Sequence, residues 1–220
     1  MVDGLSDYVA TEEAMRLRAT EIAAGNAPEA VWLVEHPALF TAGTSAKDSD
    51  LLDSSMLPVH RTGRGGQFTY HGPGQRVGYV MLDLNARGRD IRCFVQQMES
   101  WIIGTLAEFN ITAQRHVGLI GVWVPRPERG PLVEEKIAAI GVRVSRWVSW
   151  HGFSLNISPD LSHYSGIVPC GISDKGITSL EDLGQLVTLP EVDMVLRRGF
   201  EQHFGPTLSS REVESLSKTA

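Results

Sequence analysis

Cys170 stands between a proline and a glycine in the segment IVPCGI, residues 167–172. A structural cysteine usually packs as a small hydrophobe inside a regular strand or helix. Here Pro169 would stiffen one side of the thiol, and Gly171 would leave the other side open to a large molecule. The thiolate is the nucleophilic form, and an ordinary thiol is mostly protonated at neutral pH, so catalysis would need a base or a cation nearby. The residues alone leave a catalytic and a structural role for Cys170 equally open.

Three basic side chains could activate this thiol, namely Lys136, His71 and His151. Lys136 begins the segment KIAAIGVRVSRW, whose small apolar residues predict a strand. A lysine that leads into a buried strand can be a site residue in a dry environment. The same position also suits an edge lysine whose ammonium group reaches solvent. Position alone favours the edge interpretation, and sequence spacing does not choose among three partners that would meet only in the fold.

A glycine-rich segment, TGRGGQFTYHGPGQ at residues 62–75, contains five glycines. Glycine lets the backbone pass close to a ligand and adopt positive φ at little steric cost. The segment matches neither a phosphate-binding P-loop nor a dinucleotide-binding motif. Because Arg64, Tyr70 and His71 are interleaved with the glycines, we favour a binding loop over a connector. The AIG triplet at 139–141 would likewise let an elongated apolar ligand lie against the backbone.

No metal site or cofactor site is predicted. The seven histidines are scattered, no pair has ligand spacing on a helix, and there is no Cys-x-x-Cys motif. His36 and His163 are interpreted as surface or supporting groups. A Gly-x-Ser-x-Gly nucleophile elbow is also absent.

The apolar patterning predicts an α+β fold in which helices flank a mixed, largely antiparallel sheet. Asp7 and Asp90 are expected to cap the first two helices, Gly25 to end the first, and Cys93 to be structural at the edge of the second helix's apolar stripe. The predicted helices span residues 7–24, 90–110, 179–184 and 189–205. The predicted strands are 30–35, 77–84, 121–124 and consecutive antiparallel strands within 136–157, with a loop at 125–135. Residues 58–75 are too rich in glycine and proline for regular structure throughout.

Length and composition predict one domain over residues 1–205 with a polar tail at 206–220. The net charge of −6 argues against nonspecific nucleic-acid binding. No apolar run approaches the roughly 20 residues that span a bilayer, and the polar N-terminus lacks a signal-peptide pattern. We therefore expect a cytoplasmic protein with no membrane partner and with reduced thiols. Five arginines could form a basic mouth for an acidic partner or could be ordinary solvated residues: Arg61, Arg64, Arg76, Arg143 and Arg146.

Several segments resemble the octanoyltransferases of lipoate biosynthesis. They are LVEHPALFTAGTSA (33–46), RGGQFTYHGPGQ (64–75), KIAAIGVRVSRWVSWHGFSLNI (136–157) and VPCGI (168–172), and they occur in that family's order and spacing. The resemblance covers roughly residues 30–185. It implies the α/β catalytic-domain fold of biotin and lipoate protein ligases, with a mixed sheet flanked by helices. The sequence departs from many relatives in having AIG for SIG and HGFSLN for HGFALN or HGLALN.

The resemblance also implies an activity and a site. An octanoyl group would pass from octanoyl-acyl carrier protein to a specific lysine of lipoyl domains, which belong to 2-oxoacid dehydrogenase E2 subunits and to the glycine cleavage H protein. Cys170 would be the acyl-accepting nucleophile, and Lys136 would activate it, without ATP. The substrate pocket would be formed by Arg64, Gly65, Gly66, Gln67, Phe68, Thr69, Tyr70, His71, Ala139, Ile140, Gly141, Gly152, Phe153 and Ser154.

Three alternatives remain at this stage. An ATP-dependent lipoate or biotin ligase of the same fold would use an adenylate, which the PCG segment argues against. A noncatalytic carrier-binding module would keep the groove without turnover, which the presence of both Lys136 and Cys170 argues against. A Cys-His hydrolase using His71 or His151 is weaker, because water would waste the acyl group.

Overall fold

The computed structural model describes residues 4–169 and 175–209. Its helices are α1 (Tyr8–Ala23), α2 (Ile91–Ala107) and α3 (Leu189–Phe204). Its strands are β1 (Ala30–Val34), β2 (Leu39–Ala42), β3 (Val59–Arg61), β4 (Phe68–His71), β5 (Gln75–Met81), β6 (Gln114–His116), β7 (Leu119–Pro125), β8 (Glu134–Ser145), β9 (Val148–Asn156) and β10 (Gly176–Ile177). No helix within these residues is both long enough and apolar enough to cross a bilayer.

The strands form two sheets. In the larger sheet the order β1-β5-β9-β8-β7-β6 is antiparallel throughout, and β10 adds to β8 in parallel. In the smaller sheet β2 lies between β3 and β4, parallel to the first and antiparallel to the second. The predicted class, a mixed and largely antiparallel sheet flanked by helices, is confirmed.

Each face of the larger sheet carries its own apolar core. Helices α2 and α3 cover one face, where Trp101 of α2 also donates a hydrogen bond to the Leu196 carbonyl of α3 (2.8 Å). Helix α1 covers part of the other face through Met15, Ala19 and Ile22. The smaller sheet has a separate core around Phe40, Phe68 and Tyr70. Burying a large apolar side chain contributes about 1.5–3 kcal/mol, so these cores hold the helices against the sheet.

The predicted helix starts are confirmed. The Asp7 carboxylate accepts a hydrogen bond from the Ala10 amide (2.8 Å), and the Asp90 carboxylate accepts one from the Cys93 amide (2.9 Å). Cys93 itself is exposed, so its predicted packing role is wrong: Phe94 and Met98 fill the core from this turn of α2 instead.

The predicted helix at 179–184 is wrong. The segment is a turn in which the Asp182 amide donates to the Ser179 hydroxyl (3.1 Å), and Gly184 adopts a φ of +79°. Six residues are too few to offset the cost of nucleating a helix. The turn is held by an ion-pair network, because Asp182 and Thr178 both accept hydrogen bonds from Arg126 (2.6 and 2.8 Å).

The glycine-rich region contains more regular structure than its composition suggests, since it includes β3 and β4 and leads directly into β5. The basic mouth expected from five arginines is only partly present. Arg76 is buried in an ion pair with Asp193, and Arg64 is buried in the loop that it stabilises. Arg61, Arg143 and Arg146 remain exposed.

Candidate active site

Lys136 lies on β8 with its side chain buried, since only 4% of the residue is exposed. Its Nζ donates a hydrogen bond to the Ile120 carbonyl of β7 (3.3 Å) and lies 4.6 Å from the centre of the Trp123 ring. An ammonium group over an indole face is attracted by the ring's π electrons. The interpretation of Lys136 as a solvent-reaching edge lysine is therefore wrong.

Cys170 lies outside the described residues, together with the rest of 170–174. The chain on both sides of that segment is next to Lys136. Pro169, the preceding residue, lines the same small pocket as Lys136. On the other side, Ile177 of β10 pairs with Lys136 of β8.

The pocket shared by Lys136 and Pro169 is narrow. Its volume is about 10 Å³, about the space that one water molecule needs. Its walls are formed by Thr69, Lys136, Ile137, Ala138, Ala139, Asn156, Tyr164, Pro169 and Ile177. An acyl chain would therefore need these walls to move apart.

The two strand triplets predicted to bind substrate face each other across β8 and β9. The register pairs Ala139 with Ser154, Ile140 with Phe153, and Gly141 with Gly152. Their side chains do not share one face. Phe153 packs edge-on against Trp101 of α2 (5.1 Å between ring centres), and Ile140 joins the same core. Only Ala139 of these six residues lines the small pocket.

The loop at 64–66 crosses over β8 and is tied to it. The Gly65 amide donates to the Val142 carbonyl (3.0 Å). A Cβ atom on Gly141 would lie 2.8 Å from the Gly65 carbonyl oxygen, so the chain's own backbone occupies the space that the AIG triplet leaves open. Gly152 is equally crowded, because a Cβ there would lie 2.0 Å from the Gly78 carbonyl oxygen.

Arg64 organises this loop from within. Its guanidinium group donates to the Thr41 hydroxyl (2.8 Å) and to the carbonyls of Gly65 (2.9 Å) and Gln67 (2.8 Å). These bonds explain why an arginine stands among the glycines: it replaces the regular hydrogen bonds that the loop backbone lacks.

Two buried side-chain oxygens nearby have no hydrogen-bond partner within the described part of the chain: Gln67 Oε1 and Thr69 Oγ1. An unsatisfied buried polar group costs about 1–3 kcal/mol, so such atoms are candidates for contacts with a ligand. Thr69 also lines the small pocket. In the same strand, the Tyr70 hydroxyl lies 3.1 Å from His163 Nδ1, and burial raises the pKa of Tyr70 to about 12.

The family model described as the lipoyl protein ligase A/B catalytic domain matches residues 7–201. An octanoyltransferase of Dinoroseobacter shibae is 58% identical over 209 residues, which cover 93% of this chain and 95% of the relative. An octanoyltransferase of Parvibaculum lavamentivorans is 59% identical over 198 residues, covering 90% and 88%. The chain belongs to the octanoyltransferase family. The predicted enzyme class, acyltransferase, is thereby confirmed.

Solved structures show the same fold at much lower identity. A lipoate-protein ligase A bound with ATP has a TM-score of 0.67 at 16% identity, with 98% of this chain and 91% of that chain covered. A bipartite lipoate protein ligase of Thermoplasma acidophilum has a TM-score of 0.67 at 17% identity, with 98% and 89% covered. The ligase-type catalytic fold expected of an octanoyltransferase is therefore confirmed.

In this member of the octanoyltransferase family, the two histidines considered as activating bases make their contacts outside the Lys136 pocket. His71 Nδ1 lies 2.8 Å from Gln75 Oε1, and burial, aided by nearby His36, lowers the pKa of His71 to about 3. Burial also lowers the pKa of His151 to about 3, reinforced by the positive charges of Arg64 and Arg143. Neither histidine lines the pocket of Lys136. His36 is fully buried and bonds the Tyr79 hydroxyl (2.7 Å), so it supports the structure from inside and is not a surface group.

An ion-pair network holds the chain from residue 175 onward. Arg126 binds Glu135, the residue before Lys136, at 2.8 Å. It also binds Asp182 of the turn that follows β10, at 2.6 Å. Arg126 thereby connects Glu135 of β8 to Asp182 in the turn after β10. The network fixes the chain after position 175 against the strand that carries Lys136.

A larger surface cleft of about 670 Å³ lies elsewhere, and it contains none of the residues predicted for the site. It is lined by Ile22, Ala27, Pro28, Glu29, Asp83, Ala86, Arg87, Gln97, His203 and Phe204. We therefore do not assign the acyl-transfer site to this cleft.

Sequence reasoning missed Trp123 and Lys175 beside Lys136, and Glu99, which bonds the nearby Gly121 amide. Trp123 and Lys175 meet in space, with Lys175 Nζ 5.4 Å from the Trp123 ring centre, and no spacing rule links them. The burial of Glu99 was predictable from helical spacing, because Glu99 follows Val95 by four residues and precedes Ile102 by three, which places it on the apolar face of α2. A charged residue at that position interrupts an apolar stripe and is expected to be buried for a reason.

Proposed function

We propose that this protein transfers an octanoyl group from octanoyl-acyl carrier protein to a lysine of a lipoyl domain, through a thioester on Cys170. The observation that carries the proposal is the shared pocket of Lys136 and Pro169. Because Cys170 follows Pro169 directly, the chain enters the 170–174 segment from the wall of a pocket that Lys136 also lines. Family membership supports the octanoyl group as cargo.

In the first half-reaction, the Cys170 thiolate attacks the carbonyl carbon of the donor thioester. A carbon–sulfur bond to Cys170 forms, and the bond to the carrier's sulfur breaks. Lys136, as the ammonium, stabilises the thiolate and gives its proton to the leaving carrier thiolate. The exchange is near balance, because one thioester replaces another, so no ATP is needed.

In the second half-reaction, the amine of the acceptor lysine attacks the acyl-enzyme. A carbon–nitrogen bond forms, and the bond to Cys170 sulfur breaks. The neutral Lys136 amine accepts the proton that the incoming amine loses, which restores the ammonium and thiolate pair. Formation of the stable amide draws the sequence forward.

The acyl chain would lie between the Thr69 wall and the start of β8. Thr69 Oγ1 is buried without a partner in the described residues, so its hydroxyl can donate to the acyl carbonyl oxygen. The apolar walls from Ile137, Ala138 and Ile177 suit methylene groups, each of which contributes about 0.8 kcal/mol on burial. The remaining residues predicted to bind substrate would act by shaping the loop and strands behind this wall.

The proposed partners are acyl carrier protein and lipoyl domains, including those of 2-oxoacid dehydrogenase E2 subunits and the glycine cleavage H protein. Exposed Arg61, Arg143 and Arg146 would face these acidic proteins. The Thermoplasma acidophilum ligase was described together with its E2 lipoyl domain, which supports this class of acceptor for the fold.

The test compares two donors with a purified lipoyl domain as acceptor. One reaction contains octanoyl-acyl carrier protein without ATP, and the other contains free octanoate with ATP and magnesium. We expect mass spectrometry to find acceptor octanoylation with the thioester donor alone. Octanoylation only with ATP would show a ligase, and binding of the carrier protein without turnover in either reaction would show a noncatalytic module.

A further inference from the structure

Helix α2 carries an acidic residue inside its apolar face. Glu99 is 4% exposed and lies among the buried residues of α2. Its Oε1 accepts a hydrogen bond from the Gly121 amide of β7 at 3.1 Å. Burying a carboxylate away from water is costly unless it is well bonded, so this contact calls for a reason.

The same peptide group also contacts Lys136. The Gly121 N–H and the Ile120 C=O belong to one peptide unit, and they point to opposite sides of it because the bond is trans. Glu99 therefore holds one end of this peptide, and the Lys136 ammonium holds the other end through Ile120 oxygen (3.3 Å). A carboxylate and an ammonium group are joined through a single amide.

We propose that Glu99 is a positioning residue that acts through the Ile120–Gly121 peptide. It orients the Lys136 side chain and strengthens the carbonyl acceptor that binds the Lys136 ammonium group. A carboxylate that accepts a hydrogen bond from the Gly121 N–H shifts electron density in the peptide toward the Ile120 carbonyl oxygen. That carbonyl oxygen then becomes a stronger acceptor for the ammonium group. The chain of bonds fixes where Lys136 Nζ can lie. This inference rests on the proposed function, in which Lys136 activates Cys170.

The backbone conformation and the close packing at Gly121 both require glycine for this arrangement. Gly121 has a φ of +126°, and β7 and β8 shift register just after it. A Cβ atom at this position would lie 2.8 Å from the Ala138 carbonyl oxygen and 3.2 Å from Lys136 Cε. Only glycine leaves room for the peptide to stand between the two charges.

Other charged groups around Lys136 have their own partners. Lys175 shares the Trp123 ring with Lys136, but its Nζ pairs with Glu134 (3.0 Å), which also lies 3.0 Å from His116. Glu135, next to Lys136 in sequence, pairs with Arg126 and Arg129. Within residues 4–169 and 175–209, the carboxylate connected to Lys136 is that of Glu99, through the peptide.

The first measurement is the amide resonance of Gly121 in ¹⁵N–¹H spectra of the full-length protein. Lys136 donates to the Ile120 oxygen at the other end of the peptide, yet Lys136→Met should move the Gly121 proton resonance, because removing the ammonium weakens polarisation of the peptide. Glu99→Gln should move the same resonance, since the amide oxygen of glutamine accepts without a full charge. A Gly121 resonance that is unchanged in Lys136→Met would overturn the relay.

The second measurement is the rate at which octanoyl-acyl carrier protein acylates the protein. Glu99→Gln should lower kcat by about tenfold and leave KM for the donor unchanged, because Lys136 is misplaced while donor binding is not. Met98→Ala is the matched control: it opens a cavity in the same turn of α2 but touches neither charge. It should lower stability and keep kcat at assay temperature.

The two measurements separate the inference from the proposed function. A native kcat in Glu99→Gln would overturn the positioning role. If the unmodified protein formed no acyl-enzyme, the proposed function would fail, while the Gly121 resonance would still decide whether the carboxylate and the ammonium group are coupled.

Discussion

At the scale of single residues, burial separates the chemistry of Lys136 from that of the two histidines. Lys136 keeps its ammonium group buried by combining a carbonyl acceptor with an indole face. His71 bonds the neutral Gln75 side chain, and His151 Nε2 lies 3.6 Å from Glu12 Oε1, yet burial lowers the pKa of each histidine to about 3. A neutral imidazole with so low a pKa is a poor base for a thiol. The local environment therefore favours the lysine, a choice that sequence spacing left open.

Thr69→Val tests whether the unpartnered hydroxyl serves substrate. The change removes a buried, unsatisfied group and keeps the shape, so the free energy of unfolding should rise by about 1 kcal/mol. The acylation rate should nevertheless fall by about tenfold. Denaturant unfolding and single-turnover kinetics measure the two effects.

Thr105→Val provides the control for that substitution. The Thr105 hydroxyl donates to the Trp101 carbonyl within α2 (3.0 Å), so its loss should lower stability by about 1 kcal/mol without changing acylation. If Thr69→Val instead lost stability and kept full activity, Thr69 would have no role in substrate binding.

At the scale of elements, a buried ion pair fastens α3 to β5. Arg76 Nε and Nη2 contact the two carboxylate oxygens of Asp193 at 2.8 and 2.9 Å, with 7% and 3% of the side chains exposed. Burial raises the pKa of Asp193, and Arg76 opposes that shift. The pair therefore fixes the position of α3 more than it adds net stability.

Arg76→Ala should lower the free energy of unfolding by about 3–5 kcal/mol, because it leaves the Asp193 charge buried without its partner. The double variant Arg76→Met/Asp193→Leu should recover much of that loss. Guanidinium unfolding monitored by circular dichroism measures both. Equal losses in the single and double variants would show that the cost comes from packing rather than from an unpaired charge.

Local signals in the sequence predicted some elements well and others poorly. Asp7 and Asp90 marked two helix starts, because a capping carboxylate needs only residues three positions away. Residues 179–184 were wrongly predicted as a helix, because the Thr178–Asp182 turn depends on Arg126, which lies 52 to 56 positions earlier in the chain. The strand β2 was missed because it is completed by pairing with β3 and β4.

The candidate site was predicted by residue identity rather than by geometry. The resemblance selected Lys136, and the fold places it beside Pro169 through pairing of β8 with β7 and β10. No local pattern indicated that Gly141 would be covered by Gly65. The division into residues 1–205 and 206–220 and the role of Cys170 stay predictions, the latter because residue 170 lies outside the described ranges.

At the scale of the whole molecule, buried histidines couple stability to pH. The pKa of His71 and of His151 is about 3 in the fold, against about 6.5 in an unfolded chain. Between these values the unfolded state binds more protons, so stability is full above about pH 6.5 and falls as pH decreases through this window. By pH 5 the loss should reach about 2 kcal/mol for each histidine.

His151→Asn should reduce this pH dependence by about one proton, and asparagine tolerates the φ of +59° at this position. Exposed His203→Gln is the control and should keep the wild-type slope. Urea unfolding at several pH values between 5 and 7 gives the slopes. An unchanged slope in His151→Asn would contradict the burial of a neutral imidazole there.

The most direct test of the account is intact-protein mass spectrometry after mixing with octanoyl-acyl carrier protein. We predict one octanoyl group per chain, absent in Cys170→Ser, and formed at least about a hundredfold more slowly near pH 7 in Lys136→Ala, with partial recovery at high pH as the thiol ionises unaided. Exposed Lys47→Ala should acylate normally. An octanoyl adduct that persists in Cys170→Ser, or a Lys136→Ala variant that acylates at the wild-type rate, would contradict it.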